Sequence, residues 1–236
     1  KGGHYKGTKT IKANYAGMVA NLDKNLGKLL ATLKELGIDD NTVVSFTSDN
    51  GPTLAGGYHW DYFDSNGRLR GGKRDLYEGG IRVPFLVRWP AKIETGRESA
   101  HPSAFWDFLP TACDLAGINK PGNIQGVSYL PTLLGNEQPT HPYLYWEFHE
   151  RGGKVALRRG DWKVVGVDRG KTKPKPYELY HLGNDLAEEN NLAESNPEKL
   201  KELLGLLEAH REKSPVEQWN FKPKPKSGKK KKPQKS

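Results

Sequence analysis

The chain has one cysteine, Cys113, and one methionine, Met18, in 236 residues. A single thiol excludes an internal disulfide and a multi-cysteine metal centre, and it leaves the redox compartment undecided. No apolar run approaches the ~20 residues that a membrane-spanning helix needs, so no span is expected. Acidic residues are missing from 222–236, where eight lysines stand among Pro223, Pro225 and Pro233. The net charge of +9 therefore belongs to that tail, and the rest of the chain carries +1. Such a segment has nothing to bury and is expected to be disordered. It also lacks aromatic interleaving, which argues against a specific nucleic-acid partner. A solubilising end, or nonspecific adhesion to nucleic acid, anionic glycan or membrane surface, remains. No internal repeat is evident.

What is present is periodicity. Tyr15, Met18, Val19, Leu22, Leu26, Leu29, Leu33 and Leu36 recur at steps of three and four, which predicts a helix over 14–36 with Gly37 as its stop. Thr42–Thr47 is β-branched and aromatic, the pattern of a buried strand, and helix followed by strand suits a parallel α/β sheet. Arg82–Trp89 reads as a second strand and Phe105–Ala116 as a second amphipathic helix. Cys113 lies on the apolar face of that helix, a packing position rather than a nucleophile's. Beyond Tyr143, four short β-rich runs at Tyr143–Phe148, Lys154–Arg158, Trp162–Val167 and Glu178–Leu182 predict an antiparallel meander, and 197–210 a last helix. The expected domains are 1–140, an α/β portion; 141–221, a small α+β portion; and the tail 222–236.

The first strand ends in Ser48-Asp49-Asn50-Gly51. Ligands gather at the carboxyl ends of strands in open α/β sheets, and two adjacent oxygen-bearing side chains there could grip a hard cation. By itself the tetrapeptide reads better as an Asx turn. The 51–80 stretch that follows holds eight glycines and little periodicity, and a loop of that length inside a domain is usually functional. His59, Trp60, Asp61, Tyr62 and Phe63 in it could line a sugar pocket or form the loop's own small core. The remaining histidines, His101, His141, His149, His181 and His210, show no paired metal spacing.

After Ser48-Asp49-Asn50-Gly51 come Leu69-Arg70-Gly71-Gly72-Lys73 and Tyr77-Glu78-Gly79-Gly80-Ile81-Arg82-Val83-Pro84, then Asp107-Phe108-Leu109-Pro110-Thr111 and Leu115-Ala116-Gly117. Leu179-Tyr180-His181-Leu182, Asp185 and Glu188-Glu189-Asn190-Asn191-Leu192 follow near the end. In this order and spacing the set resembles the sulfatase family of the alkaline-phosphatase-like superfamily, from about Tyr15 to His210. Tyr145-Trp146-Glu147-Phe148 and Arg159-Gly160-Asp161-Trp162-Lys163 point to bacterial-type arylsulfatases acting on glycans.

The resemblance implies an alkaline-phosphatase-like α/β sandwich with a mainly parallel sheet, followed by a small antiparallel sheet and helix. It implies calcium as the metal, with Asp49 and Asn50 as two of its ligands. An oxygen-only pair suits calcium, whereas a zinc-using relative would be expected to place a histidine beside the aspartate. Lys73 matches the lysine that contacts the sulfate and the leaving-group oxygen, and it is expected to fold back towards Asp49. His59 is a further substrate-binding candidate. Glu78 and Arg82 match residues that support the loop. The implied substrates are sulfated carbohydrates or aryl sulfates, and the implied location is periplasmic or secreted.

One element of the family pattern is missing. Sulfatases convert a cysteine or serine to formylglycine within Cys/Ser-x-Pro/Ala-x-Arg, and no such run occurs in these 236 residues. Cys113 is followed by Asp114-Leu115-Ala116-Gly117 and does not serve. Asp39-Asp40 stands at the wrong end of the strand to complete the metal shell. The expectation is therefore a C-terminal half of a sulfatase, with formylglycine in a preceding segment and no turnover by this chain alone. A phosphodiesterase or phosphonate hydrolase of the same superfamily, or a non-catalytic anionic-glycan-binding fragment, is the alternative. The sequence leaves oligomeric state open.

Overall fold

The apolar stripe in the first forty residues folds as helix α1 (Ile11–Glu35). It stops where expected: Gly37 takes a left-handed φ of 68°, its amide donates to Lys34 O, and the amide of Ile38 donates to Leu33 O. This double closure satisfies the last carbonyls of the helix. The computed structural model describes residues 10–54 and 57–221. The lysine-rich tail 222–236 lies outside the described residues.

These residues divide into two units, one within Lys1–Gly67 and Ile81–Pro142, the other within Arg68–Gly80 and Tyr143–Ser236. In unit 1, strands β1 (Val44–Thr47) and β2 (Phe85–Arg88) pair antiparallel with Val44 opposite Arg88. The helix–strand order at 14–47 suggested a parallel neighbour. The pair that forms instead is antiparallel, and no parallel pair occurs among the described residues. Before β1, Asp39 receives both ends of the Arg88 guanidinium at 2.6 and 2.7 Å, and this hydrogen bonding holds its carboxyl below the usual range. Asp39 is thus already engaged, at the start of the strand and not at its ligand end.

Helix α3 (Phe108–Ala116) closes at Gly117 in the same manner as α1, Cys113 on it is buried and unpaired, a packing residue, and the short helix α4 (Leu130–Leu134) follows. The Asp107-Phe-Leu-Pro-Thr111 run is a polar hub. Asp107 is fully buried, accepts the amides of Ala104 (2.7 Å) and Val127 (2.9 Å), and faces His141 Nε2 at 2.9 Å. Thr111 donates to Asp107 O and accepts from the amide of Tyr129. His141, which sequence spacing left without a role, is therefore a structural partner. The apolar stripe of α1 is only partly covered: Tyr15, Leu26 and Leu33 are half-buried, none of its residues is fully buried, and Met18 is 71% exposed.

Unit 2 is a four-stranded antiparallel meander in the order β3 (Leu144–Phe148), β4 (Lys154–Arg159), β5 (Trp162–Val167), β6 (Glu178–His181), with α5 (Pro197–His210). Alternation along the strands separates its two faces. Val155, Leu157, Val164 and Leu179 point one way and enclose Leu203 and Leu207 of α5 in the core. Lys154, Arg158, Lys163, Glu178 and Tyr180 point the other way, in register across β4, β5 and β6. That second face is charged because it carries the segment 68–80.

Candidate functional site

Asp49 and Asn50 follow β1 after the single residue Ser48, at the strand's carboxyl end. The turn is closed by Ser48, whose hydroxyl donates to Asn50 O at 2.8 Å, and by Asn50 Nδ2, which donates to Gly51 O at 3.1 Å. The amide end of Asn50 is thereby tied to the main chain, and its oxygen is the end not used in that bond. Among the described residues, the carboxylate of exposed Asp49 accepts no main-chain amide, so an Asx turn is not what shapes this corner. A carboxylate and an amide oxygen are hard donors that suit calcium, which takes 6–8 oxygens; two side chains can be part of such a shell only. No cluster of three or more His, Cys, Asp or Glu suited to a metal occurs among the described residues.

His59, in the same unit, sits 2.8 Å from Asp61 on an exposed part of the loop. Behind it Tyr15, Tyr58 and Phe63 stack, with centroids 4.1 Å apart for Tyr15 and Tyr58 and 5.3 Å for Tyr15 and Phe63. Tyr62 meets Phe63 edge-on and lies under the Lys12 ammonium at 3.3 Å. The aromatic residues of the loop thus make a local stack with α1. A cavity of about 420 Å³ opens beside it, lined by Lys12, Tyr58, His59 and Tyr62 among others.

Lys73 belongs to unit 2. It is exposed at the second position of a turn in which the amide of Asp75 donates to Gly72 O at 2.8 Å. The carboxylate of Asp75 closes the same turn from the other side by accepting the Gly72 amide at 3.1 Å. Arg74, at the third position, has φ 76°, a left-handed conformation that costs a non-glycine residue of order 1–3 kcal/mol and persists only when its surroundings enforce it. The Lys73 ammonium makes no hydrogen bond or ion pair among the described residues.

The turn rests on the short helix α2 (Glu78–Ile81), whose first three residues are buried. A Cβ on Gly79 would stand 2.4 Å from Gly71 O, and one on Gly80 would stand 2.2 Å from Asp75 O. The two glycines are therefore a contact surface for the main chain of 70–75. Glu78 anchors this seat to the sheet. Its carboxylate meets Lys163 Nζ at 2.8 Å, Lys163 meets Glu188 at 2.8 Å, and Glu188 accepts the amide of Glu78 at 2.6 Å. All three are buried, Lys163 and Glu188 completely. Burial raises the Glu188 carboxyl above its ordinary value, against the opposing pull of Lys163 and the Glu78 amide.

A second anchor is Arg70. It donates to Tyr180 Oη at 2.7 Å and Glu188 O at 2.8 Å, and stacks over Tyr77 at 3.9 Å. Tyr77 and Tyr180 both donate to Glu178, and burial followed by that carboxylate pushes both phenols above their usual range. The C-terminal signature acquires a physical reason here. Asp185 accepts the amides of Glu189 and Asn190, shaping the loop that presents Glu188 at a left-handed φ of 54°. Sequence reasoning gave Glu78 its supporting role but missed Lys163, Glu188, Arg70 and Lys154. The available signal was Lys163 itself, a charge inside the run Trp162-Lys163-Val164-Val165.

The comparisons with known proteins fall on these same segments. The profile described as sulfatase matches residues 3–118. The profile described as N-sulphoglucosamine sulphohydrolase, C-terminal, matches 67–213. The chain belongs to the sulfatase family. An N-acetylgalactosamine-6-O-sulfatase of Bacteroides thetaiotaomicron is 32% identical over 209 residues, which are 81% of this chain and 40% of that protein. The steryl-sulfatase of Mus musculus is 39% identical over 142 residues, 58% of this chain and 23% of that one. The solved structure of Ps i-CgsB with k-i-k-neocarrahexaose has a TM-score of 0.71 at 33% identity, covering 83% of this chain and 42% of its own. That of BT4656 with D-glucosamine-2-N,6-O-disulfate has a TM-score of 0.66 at 30% identity, covering 81% and 38%. The fold is thus the alkaline-phosphatase-like α/β fold of sulfatases with its C-terminal antiparallel sheet and helix. The chain spans less than half the length of these relatives.

Proposed function

We propose that this sulfatase-family chain supplies the C-terminal part of a calcium-dependent sulfuric-ester hydrolase acting on sulfated glycans. The observation that carries the reading is Lys73, an ammonium without a partner among the described residues, displayed on a braced turn whose backbone is packed on Gly79 and Gly80. Lys73 would contact the sulfate ester and stabilise negative charge as it develops on the departing oxygen. Asp49 and Asn50 would give calcium two of its oxygens, and the bound ion would supply positive charge against the sulfate. His59 is a lesser candidate for contact with the sugar. The family's formylglycine would come from a segment outside these residues, since no residue here lies in the required sequence. The exposed part of the α1 stripe, Met18, Val19, Leu22, Leu29 and Leu36, supports that reading, because it suits a further layer of the sandwich. A periplasmic or secreted location accompanies the proposal; no helix among the described residues is long and apolar enough to cross a membrane.

The missing nucleophile run also favours a second reading, a non-catalytic module that binds anionic glycans. Turnover separates the two. The purified chain, assayed with an aryl sulfate and calcium, is expected to show none, since half a catalytic unit does not give half a rate. In the full-length protein, Lys73→Ala is expected to lower kcat roughly 10²–10³-fold with little change in KM. The loss should shrink for aryl sulfates with good leaving groups. An equal loss for good and poor leaving groups would confine Lys73 to sulfate binding, and an inactive full-length protein would favour the binding module.

A further inference from the structure

Lys154, at the start of β4, points from the charged face of the sheet into the flank of the Lys73 turn. Its ammonium donates to Arg74 O at 2.7 Å and also binds the carboxylate of Asp75. Its side chain is 13% exposed and that of Asp75 31%, so the ion pair is screened less than one on the open surface. Asp75 is the residue that closes the turn twice, through its amide to Gly72 O and through its carboxylate to the Gly72 amide. Lys154 thus holds the carbonyl that follows the strained Arg74 backbone and the carboxylate that latches the turn. Lys73 lies between Gly72, whose amide that carboxylate accepts, and Arg74, whose carbonyl Lys154 holds.

The other contacts of the segment act elsewhere. Glu78 with Lys163 and Glu188 fixes the seat, and Arg70 with Tyr180 fixes the approach to it. The Arg74 side chain reaches Glu150 only at 3.5 Å in an exposed pair. Without Lys154, nothing else donates to Arg74 O or pairs with the Asp75 carboxylate from the sheet among the described residues. The left-handed Arg74 peptide would then be free to relax, and its relaxation would swing Lys73.

We propose that Lys154 is a positioning residue for Lys73, setting the fraction of molecules in which that ammonium faces the ester. The inference rests on the assignment of Lys73 above. A turn that populates its productive form less often lowers kcat by that fraction, and misplacement of about 1 Å can cost up to 10²-fold.

The first arm of the test is amide exchange on the purified chain. Lys154→Met is expected to speed exchange of the bonded Gly72 and Asp75 amides at least tenfold, with β4 and β5 amides protected as before. Unchanged exchange of the Gly72 and Asp75 amides overturns the inference whatever Lys73 does. The second arm uses the full-length protein and an aryl sulfate with a poor leaving group. Lys154→Met is expected to lower kcat about 10- to 100-fold at nearly constant KM, and Lys154→Arg, which can reach both acceptors, to restore most of it. In a Lys73→Ala background the same change should cost less than about twofold, because coupled residues are not additive. Equal Lys154→Met losses in both backgrounds overturn the inference while leaving Lys73 its role. A silent Lys73→Ala overturns the Lys73 assignment itself, and with it a kinetic role for Lys154.

Discussion

Lys163→Met is expected to destabilise the C-terminal sheet by about 3–5 kcal/mol, the range for removing one partner from a buried ion cluster. The attraction lost is the smaller part of that cost. Lys163 is fully buried between Glu78 and Glu188, and methionine fills a similar volume, so packing changes little. What remains is two carboxylates out of water, with the Arg158 guanidinium 3.9 Å from Glu78. Urea unfolding read through the amides of β4 and β5 measures the loss. Adding Glu78→Gln and Glu188→Gln to the variant should recover more than half of it, because neutral amides do not need the missing charge. A cost below about 1 kcal/mol would show that the cluster is solvated and does not fasten the seat.

The same cluster has a pH signature whose sign follows from burial. The Glu188 carboxyl is raised by desolvation, so between its unfolded and folded values the native state holds more protons than the unfolded one. Stability contributed there increases as pH falls. Loss of Lys163 removes the main opposing influence and raises the carboxyl further. The gap between wild type and Lys163→Met should therefore narrow as pH falls from about 8 to about 5.

The elements were legible in the sequence because each has its own period. The stripe read as 14–36 became Ile11–Glu35, and the four β-rich runs became four strands with ends shifted by one residue at most. The orientation of β1 against β2 was not legible, since a stripe of apolar residues states that a face wants burial and not which neighbour provides it. For the same reason the exposure of α1 could not be foreseen. The chemical residues divide differently. Asp49, Asn50 and Lys73 were singled out by resemblance, because an Asx turn and a loop lysine are the plainer readings of those residues alone. The supports of Lys73 were hidden by distance along the chain. Glu78 meets Lys163 across 85 positions and Glu188 across 110, and no local pattern joins charges so far apart. The glycine pair was visible as residues but not as a surface, because its purpose appears only when the main chain of 70–75 lies on it.

That surface gives the other large effect. Gly80→Ala is expected to cost about 3 kcal/mol, the upper end for inserting one methyl into a packed site. The added Cβ would lie 2.2 Å from Asp75 O and 2.6 Å from Gly72 O, and both are main-chain atoms that cannot step aside as a side-chain tip would. The strain falls on the two residues that close the Lys73 turn, so relief requires lifting that turn from its seat. Gly205→Ala is the matched control. A Cβ there meets nothing within 4 Å on α5, and alanine should stabilise the helix by about 0.5–1 kcal/mol. Urea unfolding of the two variants should therefore move in opposite directions. Amide exchange should rise at 70–76 in Gly80→Ala alone, with α5 and its apolar core retaining their protection. If Gly80→Ala unfolds within about 0.5 kcal/mol of the wild type and leaves those amides protected, the segment 70–75 does not lie against α2, and the seat assigned to Lys73 is wrong.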